Sequence, residues 1–168
     1  MEKTEEKVRK VVIFIDLPNL TISAKQFGYE VSKFLDLVKQ YGEIQEGYAY
    51  CDFERNKINF SIQHALVSEN IKLIHCPASS HRDTKIDDPM LIEGIHDSLR
   101  RNSDVFYVFF TSDIMILPVS MTLRSLSRNF KIYGFSQCAS SLLKVLPEFM
   151  DLGSFLKKEN EAYGKANS

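Results

Sequence analysis

The chain has 168 residues, 44% of them hydrophobic and 26% charged, and its formal net charge is −1. This length fits a single domain, and the hydrophobic fraction is large enough for a sizeable core, which excludes a mainly disordered chain. The near-neutral charge excludes a strong overall attraction to nucleic acid but leaves a local basic surface open.

The N-terminal residues and the cysteines both indicate a reducing compartment. Residues 1–7 mix acidic and basic side chains and lack the apolar core of a signal peptide. No apolar run approaches the roughly 20 residues needed to cross a bilayer. Cys51, Cys76 and Cys138 are odd in number and far apart, which is typical of small buried residues and not of a disulfide framework. We therefore expect a cytoplasmic protein without membrane contact.

Apolar runs and helical periodicities alternate along the chain. A charged leader, residues 1–10, precedes the run Val11-Val12-Ile13-Phe14-Ile15, which is typical of a strand buried on both faces. In chain order the pattern predicts a strand at 11–15, helices at 19–27 and 31–41, a strand at 44–51, a helix at 55–68, a strand at 71–75, a helix at 89–101, a strand at 105–110, a helix at 113–127, a strand at 130–135 and a short helix at 140–146. Residues 154–168 are predicted to be a fraying C-terminal tail. Strands that alternate with helices predict an α/β fold with a parallel sheet covered on both faces.

Polar side chains follow the two most apolar strands. Asp16 and Asn19 come after the first strand, and Thr111, Ser112 and Asp113 come after the fourth. Reactive groups of such sheets collect at the carboxyl ends of the strands. Because the two most apolar strands are expected to be neighbours at the sheet centre, Asp16 and Asp113 should face each other. Two carboxylates this close repel unless a cation lies between them, and oxygen ligands favour Mg²⁺ or Mn²⁺.

The helix predicted at 89–101 carries further acidic residues at and near its start. If Asp87 caps this helix, Glu93 can point inward and supply a third carboxylate, while Asp88 lies beside the cap. This set favours metal-assisted hydrolysis of a phosphodiester bond. Each residue also has a purely structural interpretation: Asp16 and Asp113 as turn or helix caps, the Asp87-Asp88 pair as an acidic helix start, and Glu93 as a solvated helix residue.

Other kinds of site have weaker signals. The chain has neither a Gly-x-Gly-x-x-Gly nor a Gly-x-x-x-x-Gly-Lys-Ser/Thr motif, so the main signatures of dinucleotide and P-loop nucleotide binding are missing. A zinc site at His75, Cys76 and His81 lacks a Cys-x-x-Cys partner. A small-ligand-binding α/β module would need an apolar pocket at the sheet edge in place of an acidic one.

Three motifs occur in a fixed order along the chain. The first is an apolar strand that ends Asp16-Leu17-Pro18-Asn19-Leu20. The second is Lys85-Ile86-Asp87 followed six residues later by Glu93, and the third is Thr111-Ser112-Asp113-Ile114-Met115-Ile116 followed by Pro118. With a closing stretch that ends Phe149-Met150-Asp151-Leu152, these motifs make residues 10–153 resemble the NYN domain, specifically the LabA-like branch of the PIN-domain-like ribonucleases. That family usually has aspartate at the position of Glu93 and often has proline at the position of Pro118.

The resemblance implies a PIN-like three-layer α/β/α sandwich with a mostly parallel sheet, and a Mg²⁺- or Mn²⁺-dependent site that cleaves RNA. Carried onto this sequence, the metal set is Asp16, Glu93 and Asp113. Met115 stands where the family has a second central aspartate, and a thioether is a poor ligand for a hard cation. The remaining family positions are a catalytic Asn19 and the supporting residues Asp87, Thr111 and Ser112.

Basic residues that could contact phosphates form three groups. They are His81, Arg82 and Lys85 before the acidic helix, Arg55 and Lys57 after the second strand, and Arg124 and Arg128 one helical turn apart. The first group is expected at the sheet edge that carries the carboxylates, whereas Arg124 and Arg128 also fit an ordinary solvated helix face. No recognition helix rich in basic residues appears, which favours single-stranded RNA over a duplex.

The sequence thus supports two functions. One is a metal-dependent ribonuclease, favoured by Asp16, Asn19 and Asp113. The other is a catalytically silent NYN domain that binds RNA or a protein and acts in regulation, favoured by Met115. A homodimer is left open by the sequence.

Overall fold

The computed structural model describes residues 9–26, 32–77 and 87–166. The strands of this part are β1 (Lys10–Asp16), β2 (Glu43–Cys51), β3 (Ile71–His75), β4 (Val105–Phe110), β5 (Phe130–Gly134) and β6 (Phe149–Asp151). The helices are α1 (Leu17–Gln26), α2 (Ser32–Lys39), α3 (Phe60–Ser68), α4 (Asp87–Arg101), α5 (Ile116–Ser125), α6 (Ser141–Lys144) and α7 (Leu152–Ala166). The strands form one parallel sheet in the order β3-β2-β1-β4-β5-β6.

Helices cover both faces of this sheet. Alternate residues of β1 point to opposite faces: Val11, Ile13 and Ile15 join one buried cluster, and Val12 and Phe14 join the other. The first cluster is completed by α1, α2, α3 and α7, and the second by α4, α5 and α6. The protein is therefore a three-layer α/β/α sandwich, as the sequence predicts.

The two most apolar strands are neighbours at the centre of the sheet, as predicted. Every residue of β4 is buried, and so is every residue of β1 except Lys10. The strands run side by side up to the pair Ile15 and Phe110. From β1 the chain continues toward β2, and from β4 toward β5, so the strand order reverses between β1 and β4. Loops diverge at such a point and leave a crevice outside the carboxyl ends of the strands.

Two helices begin later than the sequence predicts, because side-chain caps hold the preceding turns. The Asp52 carboxylate accepts the backbone N–H groups of Glu54 and Arg55, both at 3.1 Å, so the helix does not start at residue 55. It starts at Phe60, where the side chain of Asn59 caps the Ser61 N–H at 2.9 Å. Similarly, α5 begins at Ile116 and not at residue 113.

The C-terminal residues form a helix where the sequence pattern predicts a tail. In α7, Leu152 and Leu156 lie one turn apart and are buried in the core. Asp151 caps this helix by accepting the N–H groups of Gly153 and Ser154, at 3.3 and 3.2 Å. Burial alone would raise the pKa of Asp151, but hydrogen bonds from Ser136, Ser154 and Gly153 hold the pKa below its usual value.

None of the helices in the described ranges combines the length and the apolar character that a membrane crossing requires.

Candidate active site at the carboxyl end of the central strands

Asp16 is the last residue of β1 and lies at the base of the crevice. The residue is 8% exposed. One carboxylate oxygen accepts the backbone N–H of Asn19 at 3.2 Å, which makes Asp16 the N-terminal cap of α1. The other oxygen accepts the hydroxyl of Thr111 at 3.2 Å. Asp16 therefore has the capping role that the sequence allows, and its two hydrogen bonds orient the carboxylate.

Thr111 connects the ends of the two central strands. Its hydroxyl oxygen accepts the backbone N–H of Asp113 at 3.1 Å, so the hydroxyl proton is directed toward Asp16. The Thr111 side chain is buried. A buried hydroxyl with both a donor and an acceptor partner holds the Asp113 backbone in place relative to the Asp16 carboxylate.

Asn19 provides a second connection between these loops. The side-chain oxygen of Asn19 accepts the backbone N–H of Ser112 at 3.1 Å. Ser112 in turn accepts the backbone N–H of Phe135, after β5, at 2.9 Å through its buried hydroxyl oxygen. Since its oxygen is engaged, the amide nitrogen is the part of the Asn19 side chain that could donate to a phosphate oxygen.

Asp113 begins the turn that leads into α5. Its side chain is half-buried, and one carboxylate oxygen accepts the backbone N–H of Met115 at 2.9 Å. This bond and the backbone bond from Ile116 to the Asp113 carbonyl, at 3.3 Å, form a tight turn before the helix. The turn explains why α5 starts three residues after Asp113.

Asp16 and Asp113 line the same small cleft. Its cavity volume is about 10 Å³, which is at the lower limit for one water molecule. Thr111, Asp88 and Met115 also line it, and Leu91, Ile92 and Ile116 form an apolar side. Met115, 38% exposed, thus presents its side chain at the position where a further carboxylate would face the cleft.

The third carboxylate at the cleft is Asp88, which is not among the metal ligands predicted from the sequence. Asp88, Leu91 and Ile95 recur at helical spacing on the side of α4 that packs against the sheet, and this spacing is the signal that could have identified Asp88. Glu93 lies five residues after Asp88, about 140° around the helix, and its side chain is exposed and not among those that line the cleft.

Several predicted residues fall outside the described part of the structure. They are His81, Arg82 and Lys85, together with the side chain of Asp87. Their predicted roles remain predictions.

Arg124 and Arg128 lie at the amino ends of the strands, on the side of the sheet opposite the cleft. The helix α5 runs away from the cleft and ends beside the start of β5, where both arginines are found. Arg124 forms a two-pronged ion pair with Glu148, with 3.0 Å between its Nε atom and the carboxylate. Arg128 is half-buried just before β5. This edge is separated from the cleft by the length of the sheet strands.

The oxygen ligands of the cleft suit a hard cation whose remaining coordination positions are filled by water and substrate. Within the described ranges, no group of three or more His, Cys, Asp or Glu side chains is close enough to hold a metal ion. Asp16 and Asp113 nevertheless supply two carboxylates at one small cleft. Mg²⁺ needs only one or two protein carboxylates when waters and substrate phosphates fill its remaining positions. Two carboxylates therefore fit a single Mg²⁺ or Mn²⁺ better than a pair of ions.

Comparison with known proteins finds a fold relative. No curated protein matches the sequence. A protein of unknown function from Vibrio parahaemolyticus has a similar crystal structure, with a TM-score of 0.69 and 17% sequence identity over 90% of this chain and 96% of that one. At this identity the likeness shows the fold alone, a three-layer α/β/α sandwich.

The sequence also matches a family model over nearly the whole domain. The match covers residues 10–153, from the first residue of β1 to the start of α7. It includes both strand ends that form the cleft and the whole of α4. The chain belongs to the NYN domain family, whose kinship is with the PIN-like nucleases.

Proposed function

We propose that this protein is a Mg²⁺- or Mn²⁺-dependent ribonuclease that hydrolyses phosphodiester bonds of single-stranded RNA. The observation that carries the proposal is that Asp16 and Asp113, which are 97 positions apart in the chain, line one cleft where the strand order reverses. Within the family we place the chain in the LabA-like branch, on the motif from Asp16 to Leu20. We place it in the cytoplasm on its cysteine usage.

The helices around the cleft favour the approach of a phosphate. Three helices, α1, α4 and α5, begin at the carboxyl edge of the sheet. The partial positive charge at their N-termini stabilises anions, which include the side chains of Asp16 and Asp113 as well as an incoming phosphodiester. The cleft can therefore keep its carboxylates ionised and still admit a negatively charged substrate once a cation is present.

Each polar residue of the cleft has a separate task in this proposal. Asp16 and Asp113 would hold the cation, and Asp88 would add negative charge beside it. The cation would polarise the phosphoryl oxygen and lower the pKa of the attacking water. Thr111 keeps the two carboxylates in register, and the Asn19 amide nitrogen donates to a phosphate oxygen and orients the phosphodiester.

The proposal is tested by Mn²⁺-dependent cleavage of a labelled single-stranded RNA. The variants are Asp16→Asn, Asp113→Asn and a control, Asp97→Asn, which removes a carboxylate nine residues along α4, about 14 Å from Asp88. We expect each cleft variant to lower the rate by roughly 100-fold or more, because a metal ligand is lost, and Asp97→Asn to retain the native rate.

Asp113→Asn is the cleaner of the two cleft variants. An asparagine oxygen can still accept the Met115 N–H, whereas an amide at position 16 loses one acceptor for either Asn19 or Thr111. Equal residual cleavage by the native protein and both variants would indicate a contaminating nuclease and would contradict the proposal.

A second function is favoured by Met115. Its thioether occupies the side of the cleft where a carboxylate ligand would be expected. A catalytically silent NYN domain that binds RNA, or a protein partner, for regulation would retain the fold and the cleft without turnover. RNA binding without Mn²⁺-dependent cleavage in the same assay would favour this alternative.

A further inference from the structure

A second pocket lies beside the cleft, between α1 and the chain that follows β2. Its cavity volume is about 690 Å³, within the range of pockets that hold organic ligands. One wall is formed by residues of α1, and the other by the turn after Asp52 and the start of α3. Its lining residues include the cations Lys25, Arg55 and Lys57 and the amides Asn56 and Asn59.

The lining of this pocket is positively charged, although the chain as a whole is not. Within the described ranges, no acidic side chain lines the pocket. Lys25 and Lys57 are exposed and make no ion pair with any described residue, and Arg55 has a loose one, with its Nε atom 3.7 Å from Asp52. Three positive charges in one concave surface attract a polyanion.

An exposed aromatic ring follows the charged lining in the chain. Phe60 is the first residue of α3 and comes directly after Asn59 of the lining, although its own side chain does not line the pocket. It is 78% exposed, and its ring centroid lies 6.3 Å from that of His64. Surfaces that bind single-stranded nucleic acid combine a basic groove for the phosphates with aromatic rings on which bases stack. An exposed ring one residue from a basic pocket therefore favours a nucleic acid over a simple anion.

The pocket and the cleft open from the same edge of the sheet. Thr21, which lines the pocket, lies five residues after Asp16 in α1, about 7.5 Å along the helix axis. Asp16 is paired in register with Tyr50 of β2, and the turn that carries Arg55 and Lys57 follows the end of β2 directly. The pocket therefore begins within one helical turn of Asn19 along α1.

We infer that this pocket, lined by Lys25, Arg55 and Lys57, binds the phosphodiester backbone of single-stranded RNA, and that Phe60 stacks on one of its bases. The inference deepens the proposed function, because it names the surface that holds the substrate next to the cleft. Arg55 and Lys57 are candidates from the sequence alone. Lys25 joins them only through the packing of α1 against the turn after β2, and Phe60 through its place next to Asn59 at the start of α3.

The test measures binding apart from cleavage. Fluorescence anisotropy of a short labelled RNA without base-paired structure is recorded in EDTA over a range of salt concentrations. The starting protein is the 168-residue chain with Asp113→Asn, which together with EDTA suppresses turnover. The charge variant adds Lys25→Gln, Arg55→Gln and Lys57→Gln, and a separate variant adds Phe60→Ala. A matched control adds Lys144→Gln, Lys157→Gln and Lys158→Gln, exposed lysines of α6 and α7.

We expect the charge variant to lower the slope of log affinity against log salt by about 2, since each phosphate contact on a single strand contributes about 0.7. Phe60→Ala should weaken binding by roughly fivefold or more without changing the slope, because a stacked base is lost and no charge is. The control lysine variant should bind as the starting protein does.

Two results would overturn the assignment of the pocket: no binding by the starting protein, or an equal loss in the charge variant and the lysine control. A charge effect without any effect of Phe60→Ala would overturn the stacking role of Phe60. Failure of this inference is distinguishable from failure of the ribonuclease proposal. Binding that depends on the pocket without any metal-dependent cleavage would leave the inference standing, and cleavage with unchanged binding by the charge variant would remove the inference alone.

Discussion

Asp16 and Asp113 each combine a capping bond with a place at the cleft. Asp16 caps α1 through Asn19, and Asp113 holds the Met115 N–H. From the sequence, the capping and the metal-binding interpretations of these residues are alternatives. In the structure the cap orients the carboxylate that faces the cleft, so one residue can serve both purposes. Because these bonds already orient the carboxylates, binding of an ion or phosphate costs less side-chain conformational entropy.

Met115 is the residue at which the cleft departs most from a set of hard ligands. We predict that Met115→Asp tightens Mn²⁺ binding by about tenfold and raises the rate of Mn²⁺-dependent RNA cleavage, because a carboxylate replaces a thioether on the cleft wall. Without metal, the same variant should be less stable than the native protein, since another negative charge joins those of Asp16 and Asp113. Mn²⁺ titration and RNA cleavage measure the first effect, and thermal unfolding in EDTA measures the second.

Ile114→Asp is the matched control for this substitution. Ile114 is 40% exposed and adjacent in the chain, but it does not line the cleft. The control adds the same charge without adding a ligand. An equal gain in Mn²⁺ affinity from both variants would show that the effect is general electrostatics and would contradict the role assigned to position 115.

At the scale of residues, the sequence predicts the convergence of Asp16 and Asp113 because both follow strongly apolar strands. Parallel strands bring such positions to one edge whatever the detail of the loops. The inward carboxylate of α4 was harder to predict, because it depends on the rotation of a helix. Each residue turns a helix by 100°, so an error of one residue in the assumed rotation changes which side chain faces inward. Asp88 lies at the cleft, whereas Glu93, about 140° around the helix from it, is exposed.

At the scale of elements, α4 approaches the sheet closely at Gly94. A Cβ atom at this position would collide with the hydroxyl of Tyr50 and would lie 3.1 Å from its ring carbon Cζ. Tyr50 is buried in β2, and burial, with smaller effects of Tyr48, Cys76 and Asp97, raises its pKa to about 12. The raised pKa means that the ring is uncharged at neutral pH. Because the ring is buried, it has little room to move away from a new side chain. The absence of a side chain at Gly94 allows α4 to place Asp88 at the cleft.

We predict that Gly94→Ala destabilises the protein by about 1–3 kcal/mol, because overpacking outweighs the gain in helix propensity of about 1 kcal/mol. Chemical denaturation measures the change. Gly153→Ala in α7 is the control, since a Cβ there would make an ordinary contact, 3.5 Å from Asp151. This control should be neutral or stabilising by up to about 1 kcal/mol. Equal stability changes in the two variants would refute the close approach of α4.

The elements could be predicted in part. Continuous apolar runs predict β1 and β4. The alternation of strands with helices predicts a parallel sheet covered on both faces. The starts of α3 and α5 could not be found from periodicity, because Asp52 and Asp113 hold turns through side-chain bonds to the backbone. The helix α7 was missed because its apolar stripe is narrow, with Leu152 and Leu156 one turn apart among charged residues.

At the scale of the whole molecule, the carboxyl edge of the sheet collects opposite charges in adjacent places. The acidic cleft lies where β1 and β4 end, and the basic pocket lies beside it, after β2. A net charge of −1 conceals this arrangement, since charges of both signs cancel in the sum. An anionic polymer would meet the basic surface first and reach the carboxylates only where a cation offsets their charge.

The central claim is that Asp16 and Asp113 together bind a divalent cation. The most direct test is thermal unfolding at increasing Mn²⁺ concentration for the native protein, Asp16→Asn, Asp113→Asn and Asp97→Asn. Saturation to about 100 times the dissociation constant should stabilise the native protein and Asp97→Asn by about 2.7 kcal/mol. Both cleft variants should show no such increase. The absence of stabilisation in the native protein, or an increase of the same size in Asp113→Asn, would contradict the account.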